Sequence, residues 1–413
     1  MKEIQLAHGG GGEEMNDLLQ ELFKVLDNEI LKEANDAAII SFSHDEGLNS
    51  KANSAQNSQN ATSSQKTVNF SQDESQISNK ADNLNFTTSS QNKLNSQQRL
   101  NENSQASNEN AKENDENSKA NSAQSAVSKD KFAISTDSFT LSPIFLDEET
   151  NIGKLCVCGS VNDLLMVGAV PEFLSLAFII EEGLALSKLD KIVKSIKKEC
   201  DKAGVKVVCG DTKVVPKNKG DEIYINTTAF GRVLRACETK NITQGLSVLI
   251  SGDIGRHGAA VLVQRNDIEA TVSSDCKCLK DEVMSLLNEG VEVVAMRDAT
   301  RGGLSAVLNE WARQSKFDLI VYEERVVVKD EVKGLCELFG YEAFELANEG
   351  TFVLCVKKED EQKALQILRK FNQNANIIGE FLQSKEARVI LQNAYGAKRF
   401  LEAPKGELLP RIC

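Results

Sequence analysis

Apolar residues return along this chain in two rhythms, and each predicts a different element. In "EEMNDLLQELFKVL" they recur every three or four positions, the spacing of an amphipathic helix. "KFAISTDSF" alternates apolar and polar residues and predicts a strand with one buried face. "NIGKLCVCGSVNDLLMVGA" is apolar nearly throughout and predicts a helix buried on most sides. "EFLSLAFII" reads as a strand, "SKLDKIVKSIKKECDKAG" as an amphipathic helix closed by a glycine C-cap, and "VKVVCGDTKVV" and "INTTAFGRV" as further strands. The polar stretch "CETKNITQG" interrupts this pattern. It restarts at "LSVLISGDIG" and runs through "RHGAAVLVQR", "CLKDEVMSLLNE", "VEVVAMRDATRGG", "LSAVLNEWARQS" and "FDLIVYEERV" to "FVLCVKKEDEQKALQILRKF" and "ARVILQNAYGAKRFL". The closing "EAPKGELLPRIC" has no periodicity and reads as a mobile tail.

From 49 to 128 the composition changes to Ser, Asn, Gln, Lys and Glu, as in "SAQNSQNATSSQ". Such a segment cannot bury enough apolar surface to offset its ordering entropy, so it is expected to be a low-complexity, disordered insertion. Its recurring Ser-Gln and Asn-Ser pieces are compositional bias, not a repeat period. Without it roughly 330 residues remain, enough for two domains. The expected division is an N-terminal domain from 1–48 and 129–232, the insertion at 49–128, a C-terminal domain at 243–393 and a C-terminal region at 394–413 that ends in a cysteine tail.

Composition narrows the class. The 413 residues are 41% hydrophobic and 26% charged, as in globular proteins. No run of about 18 apolar residues predicts a membrane span, and "MKEIQLAHGG" lacks signal-peptide features, so a cytoplasmic location is expected. Ten cysteines, most inside apolar stretches such as "LCVCGSV" and "FVLCVKK", fit a reducing compartment. The net charge of −13 argues against nucleic acid as a partner, since phosphate binding leaves a basic footprint.

Several short motifs carry candidate chemistry. In "HGGGGEEM", Gly9, Gly10, Gly11 and Gly12 precede a predicted helix, which makes either a phosphate loop or a flexible helix entry; GxxxxGK[ST] is absent. Asp137 in "STDSF", Asp163 in "VNDLL", Asp211 in "GDTK" and Asp298 in "RDATRGG" lie at strand ends or in small-residue turns. Each reads as a cap or turn residue or as a hard oxygen ligand for nucleotide-bound magnesium. Asp163, beside Asn162 in an apolar helix, is the hardest to treat as a mere cap, because an unpaired buried carboxylate is costly. Lys213 in "GDTKVV" and Glu349 in "LANEGTF" are proton-transfer candidates, or else a surface lysine and a turn glutamate. "CVC" and "CKC" lack CxxC spacing and read as packed thiols before metal ligands, and His257 as a nucleotide contact or a helix-entry residue. Cys413, the last residue, is not in a CaaX box. It is an incidental thiol, an intermolecular disulfide partner or a covalent carrier on a tether.

Taken in order, "LAHGGGGEEM", "STDSF", "NIGKLCVCGSVNDLLMVGAVPEFLS", "GDTKVV", "SGDIGRHGAAVL", "RDATRGGL", "ANEG" and the terminal "PRIC" resemble the HypE family of hydrogenase maturation factors. That family sits within an ATP-binding superfamily with aminoimidazole ribonucleotide synthetase and selenophosphate synthetase. The resemblance covers the chain outside the insertion, and "PRIC" is its most specific part. It implies a two-domain α+β fold whose N-terminal sheet domain binds ATP and forms a homodimer. It further implies an ATP- and Mg2+-dependent carbamoyl dehydratase acting on its own tail, converting an S-carbamoyl group on Cys413 to S-cyanide for the iron of a nickel-iron hydrogenase. A HypF-like carbamoyltransferase would load the tail, and a HypC and HypD complex would receive the cyanide. By the same resemblance Glu349 is the general base and Lys213 its neighbouring cation. Asp137, Asp163 and Asp298 correspond to the metal-binding aspartates, and they with Asn162, Asp211 and Gly9 to Gly12 to the nucleotide site. Two departures stand near that site: "LDEETNIGK" lacks preceding glycines, and Arg256 stands where an acidic residue is common.

Two other readings remain open. An enzyme of the same superfamily that phosphorylates an amide oxygen or selenide would keep its ATP turnover on a small substrate without Cys413, whereas a non-enzymatic thiol carrier would hydrolyse no ATP even when carbamoylated. The composition of the insertion generates a first prediction. Excising 49–128 leaves dehydration of the tail at the parental rate, measured on the folded, shortened chain; a folded variant without activity would give the insertion a catalytic role.

Overall fold

The alternation in "KFAISTDSF" becomes strand β2 (Asp130–Phe139), which pairs antiparallel with β1 (Ala38–Phe42) and with β5 (Ile223–Val233). The computed structural model describes Asp17, residues 37–42, 130–383 and 386–405. By its contacts the chain divides into Met1–Ser43 with Ser128–Cys413, and His44–Val127; the latter unit lies outside the described residues. So does the helix expected at "EEMNDLLQELFKVL", apart from Asp17, which is helical.

Helix α1 (Ile152–Met166) follows β2 and is capped by Asn151, whose side chain accepts from the amides of Gly153 and Lys154. Strand β3 (Ala169–Glu181) pairs antiparallel with β5, and β4 (Lys206–Val215) runs parallel to β3. A parallel pair needs a crossover, here helix α2 (Leu186–Ala203), which ends on Gly204 in the left-handed conformation. The strand order is β1-β2-β5-β3-β4, with β4 at the edge.

Register decides what each face carries. Ser135 pairs with Ala229 and Asp137 with Thr227, which in turn pair with Leu174 and Leu176; this is the face covered by the helices. The opposite face carries Ile134, Phe173 and Ile179, at 36%, 38% and 43% exposure, and a stacked Phe132–Phe230 pair with ring centroids 5.2 Å apart. Asp211 and Lys213 pair with Ala177 and Ile179, so they belong to this outer face.

The second half restarts after "CETKNITQG" with β6 (Ser247–Ile250), α3 (Arg256–Arg265), α4 (Lys280–Asn288), β7 (Val293–Asp298) and α5 (Gly303–Ser315). It continues through β8 (Asp318–Tyr322), α6 (Asp330–Phe339), β9 (Phe352–Val356), α7 (Glu361–Arg369), β10 (Asn376–Leu382), β11 (Val389–Gln392) and β12 (Lys398–Phe400). The sheet order is β12-β11-β8-β10-β6-β9-β7, antiparallel except for β11 against β8. Both halves are thus mixed α+β, as expected. Among the described residues no helix is long and apolar enough to cross a membrane.

Helix α1 joins the halves. Every residue in it except Lys154 and Asp163 is buried, and it packs on β2, β3 and β5 on one side and on β7 and α4 on the other. Its side chains share one apolar cluster with Leu279, Val283, Val293 and Phe352 of the second half. Gly153 lets α1 approach α2 closely, since a Cβ there would stand 2.5 Å from the carbonyl oxygen of Ile192. A second cluster surrounds Trp311, Val353 and Phe381.

The tail departs from expectation only at its first residue, Glu402, whose carbonyl accepts from Ser305 of α5 at 2.8 Å, next to the buried Leu401, to whose carbonyl Asn309 donates at 3.1 Å. Packing on α5, invisible to periodicity, docks this residue. Residues 406–413, Cys413 included, lie outside the described residues.

Because α1 fills a core common to both halves, Leu165→Ala is expected to cost about 2–5 kcal/mol. Both halves should then unfold in one transition at a lower urea midpoint; two separated transitions in the parent chain would contradict the shared core.

Candidate active site

Asp137 and Asp298 face each other where β2 and the end of β7 come together, and Asp163 stands on the neighbouring α1. Asp137 lies on the inward face of β2 against Gly159 of α1, where a Cβ would come 3.6 Å from its Oδ2. One helical turn on, Asp163 accepts a hydrogen bond from Ser135 Oγ at 2.5 Å, which resolves how a carboxylate survives in this apolar helix. Asp298 ends β7 with 6% of its surface exposed. Burial raises its pKa to about 6; Asp137 pushes the same way, while Arg297, Arg301 and Thr300 pull it down. The turn after β7 returns Arg301 over the site, with its Nη2 3.6 Å from Asp137 Oδ1.

Among the described residues no group of three or more His, Cys, Asp or Glu stands close enough to hold a metal ion alone. The expected metal residues Asp137, Asp163 and Asp298 are therefore not a closed cage. Their all-oxygen chemistry, and the mutual repulsion of Asp137 and Asp298, fit a magnesium ion whose remaining ligands are phosphate oxygens and water.

The "ANEG" turn is fastened to the same strand end. Asn348, fully buried, accepts from the amide of Gly255 at 2.6 Å and donates to the carbonyls of Ala299 at 2.9 Å and Leu346 at 3.1 Å. Ala299 follows Asp298 directly, so this side chain ties the Glu349 turn to the aspartate site. Glu349 is 6% exposed, and its amide and that of Gly350 donate to Asp275. Asp275, Asn348, Ser135 and Arg301 escaped the sequence reading; only the small-residue turn "DATRGG" hinted at Arg301.

Other residues are placed differently. Asn162 donates to the carbonyl of Lys277 at 3.1 Å and accepts from the amide of Leu279 at 2.9 Å, so its carboxamide pins the segment before α4 to α1. Asp211 and Lys213 are exposed on β4, across the sheet from Asp137, and their side chains make no hydrogen bond or ion pair with any described residue. Lys213 thus lies on the face of the sheet opposite Asp137. Gly9, Gly10, Gly11, Gly12 and Cys413 lie outside the described residues.

His257 is fully buried, its Nδ1 is 2.8 Å from Ser274 Oγ, and burial drives its pKa down to about 3. It is a neutral core residue of α3. Arg256 pairs with Asp253, Nε to Oδ2 at 2.6 Å. Burial alone would raise the Asp253 pKa, but Arg256 and Asn374 outweigh it and hold the carboxyl below its usual value. Cys156, Cys158 and Cys276 are buried, and the thiol of Cys156 is pushed far up by burial. These are packed thiols, as their spacing suggested.

Two α+β halves with carboxylates at the ends of a strand and a helix define a class, the AIR synthase-related proteins. The model of their N-terminal domain matches residues 121–233 and that of their C-terminal domain residues 243–392. Within that class the chain belongs to the HypE family of hydrogenase maturation carbamoyl dehydratases. Carbamoyl dehydratase HypE of Escherichia coli (strain K12) is 38% identical over 270 residues, 64% of this chain and 79% of that protein. A crystal structure of hydrogenase maturation protein HypE in complex with ATP matches with TM-score 0.66 and 39% identity, over 68% of this chain and 87% of that one. A HypE–HypF complex matches with TM-score 0.64 and 42% identity, over 66% and 90%.

The Asp298 environment has a measurable sign. Its folded pKa of about 6 exceeds the ordinary 3.8, so the folded chain keeps a proton that the unfolded chain has released. The stability this provides is complete below the ordinary value and is lost as pH rises through about 6. Without divalent metal, Asp298→Asn is expected to stabilise the chain at pH 7 by roughly 1–3 kcal/mol and to have little effect at pH 4. Urea unfolding at the two pH values checks this, and equal effects at both would refute it.

Proposed function

We propose that this chain uses ATP to dehydrate an S-carbamoyl group on its own Cys413 to S-cyanide, the precursor of the cyanide ligand on the iron of a nickel-iron hydrogenase. The observation that carries the reading is the Asn348 bridge, which couples a buried glutamate, Glu349, to the aspartate-bearing end of β7 within a HypE-family chain. A proton acceptor beside a phosphate-handling site is what a phosphate-driven dehydration requires.

Asp137, Asp163 and Asp298 would hold magnesium together with the triphosphate, and the ion would supply neutralisation of phosphate charge. Gly9, Gly10, Gly11 and Gly12 would offer backbone amides to the phosphates, Asn162 supports the site by pinning the segment before α4, Asp211, like Lys213, could serve only from the outer face of the sheet, and Arg301 is positioned to offset charge developing in transfer. A carbamoyl oxygen is a poor leaving group until phosphorylated. Glu349 takes the nitrogen protons as phosphate departs, leaving the nitrile on sulfur. The balance is RS–C(O)NH2 plus ATP giving RS–CN, ADP and phosphate.

Lys213 serves as the cation beside Glu349 only in an assembly, since it stands on the outer face of the sheet. The half-exposed Ile134, Phe173 and Ile179 on that face support a homodimer formed there. The solved HypE–HypF complex supports a HypF-like carbamoyltransferase as the donor, and a HypC and HypD-like complex as acceptor follows from the fate of the cyanide. The reaction places the chain in the cytoplasm, where ATP is available.

Mass spectrometry of the C-terminal peptide tests the proposal. After carbamoyl transfer Cys413 is expected to carry a carbamoyl group, and ATP should then remove the mass of one water. Glu349→Gln should stop the tail at the carbamoyl stage. A tail that is never modified, or one that loses water equally well in the Glu349→Gln chain, would reject this mechanism.

A further inference from the structure

Asp275 is a buried carboxylate with no part in the steps above. It lies in the segment ahead of α4, 5% exposed, and reaches across to the turn that carries Glu349. Its Oδ1 accepts from the amide of Glu349 and its Oδ2 from that of Gly350, each at 3.0 Å. An ionised carboxylate presents acceptors on both oxygens, whereas a carboxamide presents one acceptor and one donor. Two consecutive N–H groups therefore call for aspartate. Burial pushes the Asp275 pKa up, while the two amides and Arg256 pull it back.

The backbones are also locked together. The amide of Lys277 donates to the carbonyl of Glu349 at 3.3 Å, and a Cβ on Gly350 would stand 1.9 Å from the Asp275 carbonyl oxygen. Only glycine permits that approach. The Asp275 segment is anchored in turn, by Ser274 Oγ accepting from the amide of Cys276 at 3.0 Å and by Asn162 of α1, which holds Lys277 and Leu279. Hydrogen bonds run from α1, the helix of Asp163, through Asn162 to Lys277 and on to Glu349, and Asp275, two residues before Lys277 on the same segment, adds its own pair to that turn.

We propose that Asp275 is a positioning residue for the dehydration: it fixes the backbone from which the Glu349 carboxylate projects and references that base to α1. The inference rests on Glu349 being the general base. A base acts only within hydrogen-bond reach of its proton, and a displacement of about 1 Å can lower a rate on the order of 100-fold. A flexible turn would not hold that geometry.

The test uses the full-length chain with a carbamoylated tail, following water loss by mass spectrometry at several ATP concentrations. In Asp275→Asn the maximal rate should fall about 100-fold, while the KM for ATP stays within about threefold of the parent. Gly350→Ala should show the same split with Asp275 intact, and the double variant should be no slower than the slower single one, since both disturb one contact. Parental rates in both Asp275→Asn and Gly350→Ala, with Glu349→Gln inactive, would overturn the positioning role and leave the proposed function standing. A KM for ATP that rises as steeply as the rate falls would overturn it too, by making Asp275 a general support of the nucleotide site. Parental activity in Glu349→Gln would remove the base itself, and this inference with it. Should Asp275→Asn not fold, Gly350→Ala is judged by the same criteria.

Discussion

The structure depends on burying one helix from both sides. Helix α1 carries almost no polar surface, and a helix apolar all round is stable in water only when packed on every face. One sheet covers it from the first half, and β7 and α4 cover it from the second, so the halves share a core. That arrangement explains how α1 carries the adjacent polar pair Asn162 and Asp163. Asn162 uses both ends of its carboxamide on the second half's backbone, and Asp163 takes a hydroxyl hydrogen bond from β2. Each is satisfied by a partner that only the packed helix can reach.

From that centre the site is assembled by backbone capture more than by side-chain contact. Asn348 grips the chain just past Asp298, and Asp275 grips the amides of Glu349 and Gly350. The Glu349 turn is thus held through its main chain, by Asp275 on the amides of Glu349 and Gly350 and by the amide of Lys277 on the Glu349 carbonyl. The like charges of Asp137 and Asp298 are the counterpart: they are kept close in a buried place where one of them resists ionisation, a strain that cation and phosphate would relieve.

The two faces of the first sheet divide the work. Toward the helices lie Ser135 and Asp137, while Asp211 and Lys213 look outward with an apolar surface that includes Ile179. Residues that one motif-by-motif reading would gather into a single site thereby lie on opposite faces of one sheet.

Much of the fold was legible from periodicity alone. The alternation of β2, the all-round apolarity of α1 and the amphipathic α2 with its glycine stop are local patterns, and local sterics and burial enforce them wherever the chain folds. The aspartates at strand ends were legible as candidates for the same reason, and the terminal "PRIC" with "ANEG" carried the family. Other features were decided only in three dimensions. Asp275 looks like any acidic residue in "SSDCK", and it becomes a clamp because packing brings it to amides more than seventy positions away in sequence. Whether Asp211 and Asp137 share a face depends on strand register across the sheet, and whether Leu401 is docked depends on α5. Sequence determines which residues prefer to be buried and in what local shape. Which distant partners satisfy them is a property of the closed core, because hydrogen-bond partners are chosen only once water has been excluded.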